Sequence, residues 1–365
     1  MIKDNDQKEF IGKLQDYQEL ISSDISQYAQ QMRQLTKQQY SEATFAETDA
    51  YLQILERGGK RIRGALTMVG YEMCGGKSPS DIVQVARAVE MAHAYYLVID
   101  DIQDKSAIRR GADSAHKILE QYHKQHKLRG DAPHFGVSIA INSALAGIHA
   151  AQMILANTSF DQGNLLKTIS IFNRTLGITA HGQTQDIINS AVISPSEQDI
   201  DDVLTWKTAY YTILNPLHMG MVLAGADCHS TDAITDYAVA VGKAFQITDD
   251  IIGIFGSKEV AGKSPKDDLR EGKQTLLTVH ALKHASGKDR KFLLQTLGSK
   301  NITDEALISC QEIVLSSGAR AHAESLAQDY VNNALASLNK NQNRWTSDSI
   351  VFLRGLAEHI PNRTK

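Results

Sequence analysis

The sequence predicts an all-α fold, a single-domain helical bundle, and three observations predict it. Apolar residues recur every three or four positions over long stretches, almost nothing reads as alternating strand, and only six prolines interrupt 365 residues. From Phe10 onward, Leu14, Tyr17, Ile21, Ile25, Tyr28, Met32 and Leu35 draw the stripe of an amphipathic helix. That helix falls in residues 1–45, expected as a helical extension packed on one domain spanning residues 1–365. Similar stretches cover 82–104, 137–156, 165–188, 237–252 and 316–338. Met68, Met73 and Met91 fall in apolar helical stretches and read as core filler. Loops are expected at 75–79, 122–133, 194–196 and 256–272, and no Ser/Gly-rich linker divides the chain. His123 and His126 are read as part of a solvated loop rather than as metal ligands.

Composition limits the function classes. With 42% apolar and 22% charged residues the chain has the balance of an ordinary globular protein. A formal net charge of −4 argues against a general nucleic-acid binder, so any site for an anion must be local. Cys74, Cys228 and Cys310 are odd in number, far apart and without CxxC spacing, which indicates neither a disulfide framework nor a zinc site. The first residues are polar, and no apolar run approaches the ~20 residues that cross a bilayer. No membrane span is expected, and the cytoplasm is the default location.

The chemistry starts at Leu97-Val98-Ile99-Asp100-Asp101-Ile102-Gln103-Asp104, where three carboxylates end an apolar helix. Asp100 and Asp104 project from one face, ~6 Å apart along the axis, and like charges at that spacing repel. A hard cation between them resolves the repulsion, and Mg2+ takes one or two carboxylates together with water and phosphate oxygens. The design recurs in Gly242-Lys243-Ala244-Phe245-Gln246-Ile247-Thr248-Asp249-Asp250-Ile251-Ile252-Gly253. Two acidic pairs ending two apolar helices suit a bundle built around a central apolar cavity. Cations accompany them: Gly58-Gly59-Lys60-Arg61-Ile62-Arg63, Arg109-Arg110-Gly111, Lys207-Thr208, Gly262-Lys263 and Glu271-Gly272-Lys273. Guanidinium forks and lysine charges beside carboxylates suit Mg2+-bridged diphosphate.

These segments resemble the trans-type isoprenyl diphosphate synthases, also called polyprenyl synthetases. The matching runs are GGKRIR at 58–63, EMAHAYYLVIDDIQDKSAIRRG at 90–111, HGQTQDI at 181–187, WKTAYYT at 206–212, GKAFQITDDIIGIFG at 242–256 and GKSPKDDLREGKQTLL at 262–277. The resemblance implies the isoprenoid synthase type of all-α fold, a homodimer and three Mg2+ ions. By it, Asp100, Asp104 and Asp249 would ligate the metal, with Asp101 and Asp250 in support. Lys60, Arg63, His93 and Arg110 would bind isopentenyl diphosphate. Arg109, Lys207, Thr208, Gln246, Lys263 and Lys273 would bind the allylic diphosphate, Lys207 and Lys263 counting with the aspartates as catalytic.

Tyr95 and Tyr96, about one turn before Asp100, are expected to floor the cavity and stop chain growth. Such paired aromatics resemble the short-product pattern of farnesyl diphosphate synthases, so the fifteen-carbon product is favoured, with the twenty-carbon geranylgeranyl product or a longer chain as alternative. Three positions depart from the family pattern: Gly64 stands where proline is usual, Gly253 where the second cluster ends in aspartate, and Ala144-Leu145 where Gly-Asp is common. A P-loop is excluded because Ser257 stands where Gly262-Lys263-Ser264 needs a glycine. A terpene cyclase would have no second diphosphate for Lys60, Arg63 and Arg110. A non-catalytic partner subunit would show degraded aspartates, and all five are present.

Overall fold

The computed structural model describes residues 4–256 and 264–364. It is all-α, as the sequence predicts. Helices run α1 (Asp4–Gln39), α2 (Glu42–Glu56), α3 (Ile62–Met73), α4 (Pro79–Gln103), α5 (Ala115–Gln125), α6 (Ala132–Ala156), α7 (Gln162–Ala191) and α8 (Glu197–Asp202). A π-helix (Val203–Leu214) leads into α9 (Asn215–Leu223), α10 (Cys228–Ala233) and α11 (Thr235–Phe255). Then come α12 (Pro265–Glu271), α13 (Leu276–His284), α14 (Gly287–Thr296), α15 (Asp304–Ser316), α16 (Ala319–Asn341) and α17 (Ser347–His359), followed by a 3-10 turn (Ile360–Thr364). Among the described residues the only strands are β1 (Ile108–Arg109) and β2 (Ala112–Asp113), a short antiparallel hairpin between α4 and α5.

Several boundaries differ from the sequence reading, each for a local reason. The expected loop 256–272 contains α12, which starts on a capping box made by Ser264 and Asp267 and stops at Gly272 in the left-handed region. The expected loop 122–133 is helical as far as Gln125, and His123 is only 4% exposed with Nε2 at 3.2 Å from the Arg129 carbonyl, so it is not solvated. The stretch 316–338 is broken by Gly318 at φ 77°. Helix α6 is, by length and composition, apolar enough to cross a membrane. Reading apolar runs misses it because Ser138, Asn142 and His149 interrupt the run without lowering its mean hydropathy enough.

The chain gathers into two compact units, residues 11–170 with 216–225, and residues 1–10 with 171–215 and 226–365. In the first, α2 to α6 enclose Tyr51, Leu52, Leu55, Leu66, Met68, Met73, Ile82 and Met91. The Tyr51 hydroxyl donates to the Met91 carbonyl at 2.6 Å, which satisfies the one polar atom that this ring carries inward. The part of α1 in this unit buries Ile21 and Ile25, and Arg87 pairs with its Asp24 at 2.7 Å. Gly64 lies beneath it. A Cβ there would meet Ile21 Cδ1 at 2.8 Å, and the Gly64 N–H donates to Glu90 Oε1 at 2.9 Å, a bond proline cannot make.

In the second unit the core is built on Ile247, Ile251, Ile254, Leu269, Leu277, Leu293 and the small residues Ala319, Ala323 and Ala327. Small side chains spaced four apart let α16 lie close to its neighbours. Tyr237 is fully buried and its hydroxyl donates to the Leu353 carbonyl at 2.6 Å.

Candidate active site

In the first unit the segment 58–63 turns sharply before α3, and Arg61 takes the left-handed φ of 48°. That turn drives Arg61 inward, not toward solvent. Its guanidinium lies 3.4 Å from Glu90 Oε2 and donates to the Leu55 carbonyl at 2.8 Å, with both charged side chains almost fully buried. Arg61 therefore anchors the loop. Gly59, at φ 127°, gives Arg110 its place, because a Cβ there would stand 2.9 Å from the Arg110 guanidinium, which donates to the Gly58 carbonyl. The β1–β2 turn presents Arg110, which approaches His93 Nε2 at 3.5 Å.

The result is a crowd of cations. Burial first, and then Arg63, Arg110, Arg109 and Arg61, hold the His93 imidazole well below its ordinary value, so it is neutral and accepts from Arg110. Burial and the neighbouring Arg61, only partly offset by Glu90, push Arg110 down to about 10. The shift comes first from burial and then from the other guanidinium groups nearby. Lys60, at the entrance to the same turn, is exposed.

At the end of α4, Arg109 Nε donates to Asp101 Oδ1 at 2.8 Å and Arg109 Nη2 to Asp100 Oδ2 at 3.2 Å. Asp101 is fully buried and its Oδ2 has no hydrogen-bond partner. Burial pushes its carboxyl up to about 6 against the pull of Arg109, with Asp100 and Asp104 adding to the rise. Asp104 caps the helix, its N–H on the Asp100 carbonyl at 2.8 Å. Tyr95 and Tyr96, on the preceding turn, meet edge to face at 5.0 Å between ring centroids.

In the second unit, Lys207 and Thr208 sit on the π-helix, a conformation uncommon at this length and frequent at functional sites. Lys207 Nζ pairs with Asp186 Oδ2 at 2.6 Å. Thr208 donates to Gln246 Oε1 at 2.6 Å, and Gln246 Nε2 donates to Asp250 Oδ1 at 2.8 Å, a relay that fixes the Asp250 carboxyl. Burial pushes Asp250 up to about 8; Gln246 opposes, while Asp268, Asp249 and Asp186 add to the rise. Asp249 Oδ1 pairs with Arg363 at 3.0 Å, and Lys273 with Glu271 at 3.1 Å. The Gly253 departure has a spatial counterpart: Asp268 Oδ2 lies 2.2 Å from where a Cβ at 253 would stand. Lys263 lies outside the described residues.

Among the described residues no group of three or more His, Cys, Asp or Glu side chains is arranged to hold a metal by itself. The donors at each helix end are nonetheless hard carboxylate oxygens, and Asp101 carries a buried oxygen without a partner. Mg2+ rarely uses an all-protein cage and fills its shell with water and phosphate oxygens, so the residues fit an ion that arrives with a diphosphate. Sequence reasoning assigned no role to Asp186 or Asp268, although both stand inside recognisable segments, at 181–187 and 262–277. It likewise gave no role to Glu90, the first residue of the segment 90–111, and it missed Arg363, for which the sequence carries no signal.

An all-helical fold with one aspartate pair in the last turn of α4 and another in the last two turns of α11 fits the class of enzymes that transfer prenyl groups, and the family comparison settles it. The family profile described as polyprenyl synthetase matches residues 46–314, and the chain belongs to that family. It is 30% identical to a geranylgeranyl diphosphate synthase of Sulfolobus acidocaldarius over 80% of this chain and 83% of the relative. It is 29% identical to a (2E,6E)-farnesyl diphosphate synthase of Mycobacterium tuberculosis over 76% of this chain and 72% of the relative. The fold matches the crystal structure of a geranylgeranyl pyrophosphate synthase from Corynebacterium glutamicum, complexed with isoprenyl diphosphate and magnesium, at TM-score 0.90 and 28% identity. That match covers 96% of this chain and 99% of the other. The chain is therefore a prenyltransferase of isoprenoid biosynthesis.

Proposed function

We propose that this prenyltransferase condenses isopentenyl diphosphate head to tail with an allylic diphosphate, in an Mg2+-dependent reaction that gives a short-chain prenyl diphosphate. The observation that carries the reading is the crowd of Arg61, Arg63, Arg109 and Arg110 around a neutral His93, with Arg110 pushed down to about 10. A diphosphate is an anion that such a cluster of guanidinium donors would bind. The isopentenyl diphosphate is assigned to Lys60, Arg63, His93 and Arg110. The allylic one is assigned to Arg109, Lys207, Thr208, Gln246, Lys263 and Lys273.

Mg2+ held by Asp100, Asp104 and Asp249 would neutralise charge developing on the allylic diphosphate as its C–O bond breaks. The lysines and Arg109 add fixed positive charge to the same leaving group. An apolar cavity would keep water from the allylic cation until the isopentenyl double bond attacks it. Loss of one proton, taken up by the departed diphosphate, then restores an alkene.

For product length, the edge-to-face pair Tyr95 and Tyr96 supports fifteen carbons, and the likeness to geranylgeranyl synthases supports twenty. A homodimer is part of the proposal, on the exposed apolar residues Ile141, Leu145 and Met153 of α6. The Ala144-Leu145 departure fits it, since Ala144 is buried in the core while Leu145 is 45% exposed.

The test is incubation with isopentenyl diphosphate, Mg2+ and each allylic primer in turn, followed by chromatography. Turnover should vanish with EDTA and return with Mg2+. Asp100→Asn and Asp249→Asn should each lower kcat by orders of magnitude with an intact helical circular-dichroism signal; near-normal rates in either remove the metal assignment. Arg63→Ala should raise KM for isopentenyl diphosphate more than for the primer. Alanine at both Tyr95 and Tyr96 should lengthen the product, and an unchanged product distribution would remove the floor.

A further inference from the structure

The turn Ile360–Thr364 is pinned by Ile360, which is fully buried, and it delivers Arg363 onto α11. The Arg363 guanidinium stacks over the Phe245 ring at 4.4 Å and its Nη2 reaches Asp249 Oδ1 at 3.0 Å. Phe245 and Asp249 are one helical turn apart, so a single planar group covers both from one face. The side chain is only 15% exposed, and its Nε and Nη1 are buried without an acceptor. A guanidinium with two unused buried donors is held here by the carboxylate and the ring and not by a complete hydrogen-bond set. The carboxylate that it holds is the one that the proposed function gives to Mg2+.

We infer that Arg363 is a positioning residue for Asp249, a built-in cation that holds this carboxylate while no metal is bound and that must withdraw when a divalent ion takes Asp249 Oδ1. The inference rests on the proposed function in one respect only, the assignment of Asp249 as a metal ligand. A monovalent guanidinium and a divalent ion repel each other at one oxygen, and the compact, doubly charged ion wins once diphosphate oxygens complete its shell. Arg363 thus sets a threshold: free metal competes poorly with it for Asp249, whereas metal whose shell diphosphate oxygens complete displaces it.

The experiment measures Mn2+ binding, from the loss of the free-ion paramagnetic resonance signal, for wild type, Arg363→Gln, Arg363→Lys and Asp249→Asn, with and without inorganic pyrophosphate. Without pyrophosphate, Arg363→Gln should bind Mn2+ about threefold or more tightly, as expected from removing a partly exposed ion pair. Arg363→Lys should return toward wild type, and the advantage should shrink when pyrophosphate is present. Equal or weaker Mn2+ binding by Arg363→Gln, with Asp249→Asn clearly impaired, overturns the inference and leaves the metal assignment standing. Unimpaired binding by Asp249→Asn overturns the metal assignment itself.

Discussion

At Asp250 a carboxyl that ordinarily ionises near 3.8 is pushed up to about 8, chiefly by burial. The folded state therefore holds a proton that the unfolded state has already lost, and stability contributed by the neutral carboxyl is present at low pH and drains away as pH rises toward 8. Asp250→Asn keeps the acceptor for Gln246 and removes the ionisation. In metal-free protein its melting temperature should match that of the wild type near pH 4 and exceed it increasingly up to pH 8; calorimetry across that range decides. A flat difference would mean that Asp250 is not a buried neutral carboxyl. Arg61 shows how charge in a sequence can deceive. In GGKRIR it is written like its neighbours Lys60 and Arg63, yet its left-handed backbone sends it to Glu90 in the core. Nothing in the order of letters separates a buried anchor from a ligand; the φ angle does.

The π-helix is the element that the sequence concealed. Apolar periodicity forecasts helix across 237–252 and 165–188, and the helices there extend from those stretches by a few residues, because burial of one face repeats every three or four positions. The wider i to i+5 winding of Val203–Leu214 depends instead on what lies beside it. A Cβ on Gly182 of α7 would stand 2.4 Å from the Lys207 backbone nitrogen, and one on Gly242 of α11 would stand 2.3 Å from Ala209 Cα. Two glycines from separate helices thus clasp the turn that carries Lys207 and Thr208. Gly182→Ala should force that turn outward, costing about 1–3 kcal/mol of stability as overpacking does. It should raise KM for the allylic primer while leaving that for isopentenyl diphosphate near normal. Equal shifts in both KM values would deny the clasp its part in placing Lys207. The capped helix α12 was hidden differently: seven residues are too few for periodicity to register, though Ser264, Asp267 and Gly272 spell its ends.

On the scale of the molecule, helix α6 carries the largest open question of surface. Its inward positions, among them Gly136, Ala140, Ala144 and Ala151, are buried, while Ile141, Leu145 and Met153 face outward at 39%, 45% and 66% exposure. Sedimentation should find a dimer, and replacing Leu145 and Met153 together with glutamate should yield monomers that keep their helical signal. A double variant that still sediments as a dimer would place the interface elsewhere.

Helix α1, finally, bears on how the family's limits are drawn. The shared profile begins at residue 46, after α1 has ended. A chain cut back to that boundary would keep every aspartate and arginine of the two motifs. It would nevertheless lose Ile21 from against Gly64 and the Gln18 amide from the Gly59 carbonyl, 3.0 Å away, leaving an unfilled hollow under the very turn that shapes the cationic cradle. Such a trimmed enzyme should be poorer in its grip on isopentenyl diphosphate before it is poorer in anything else.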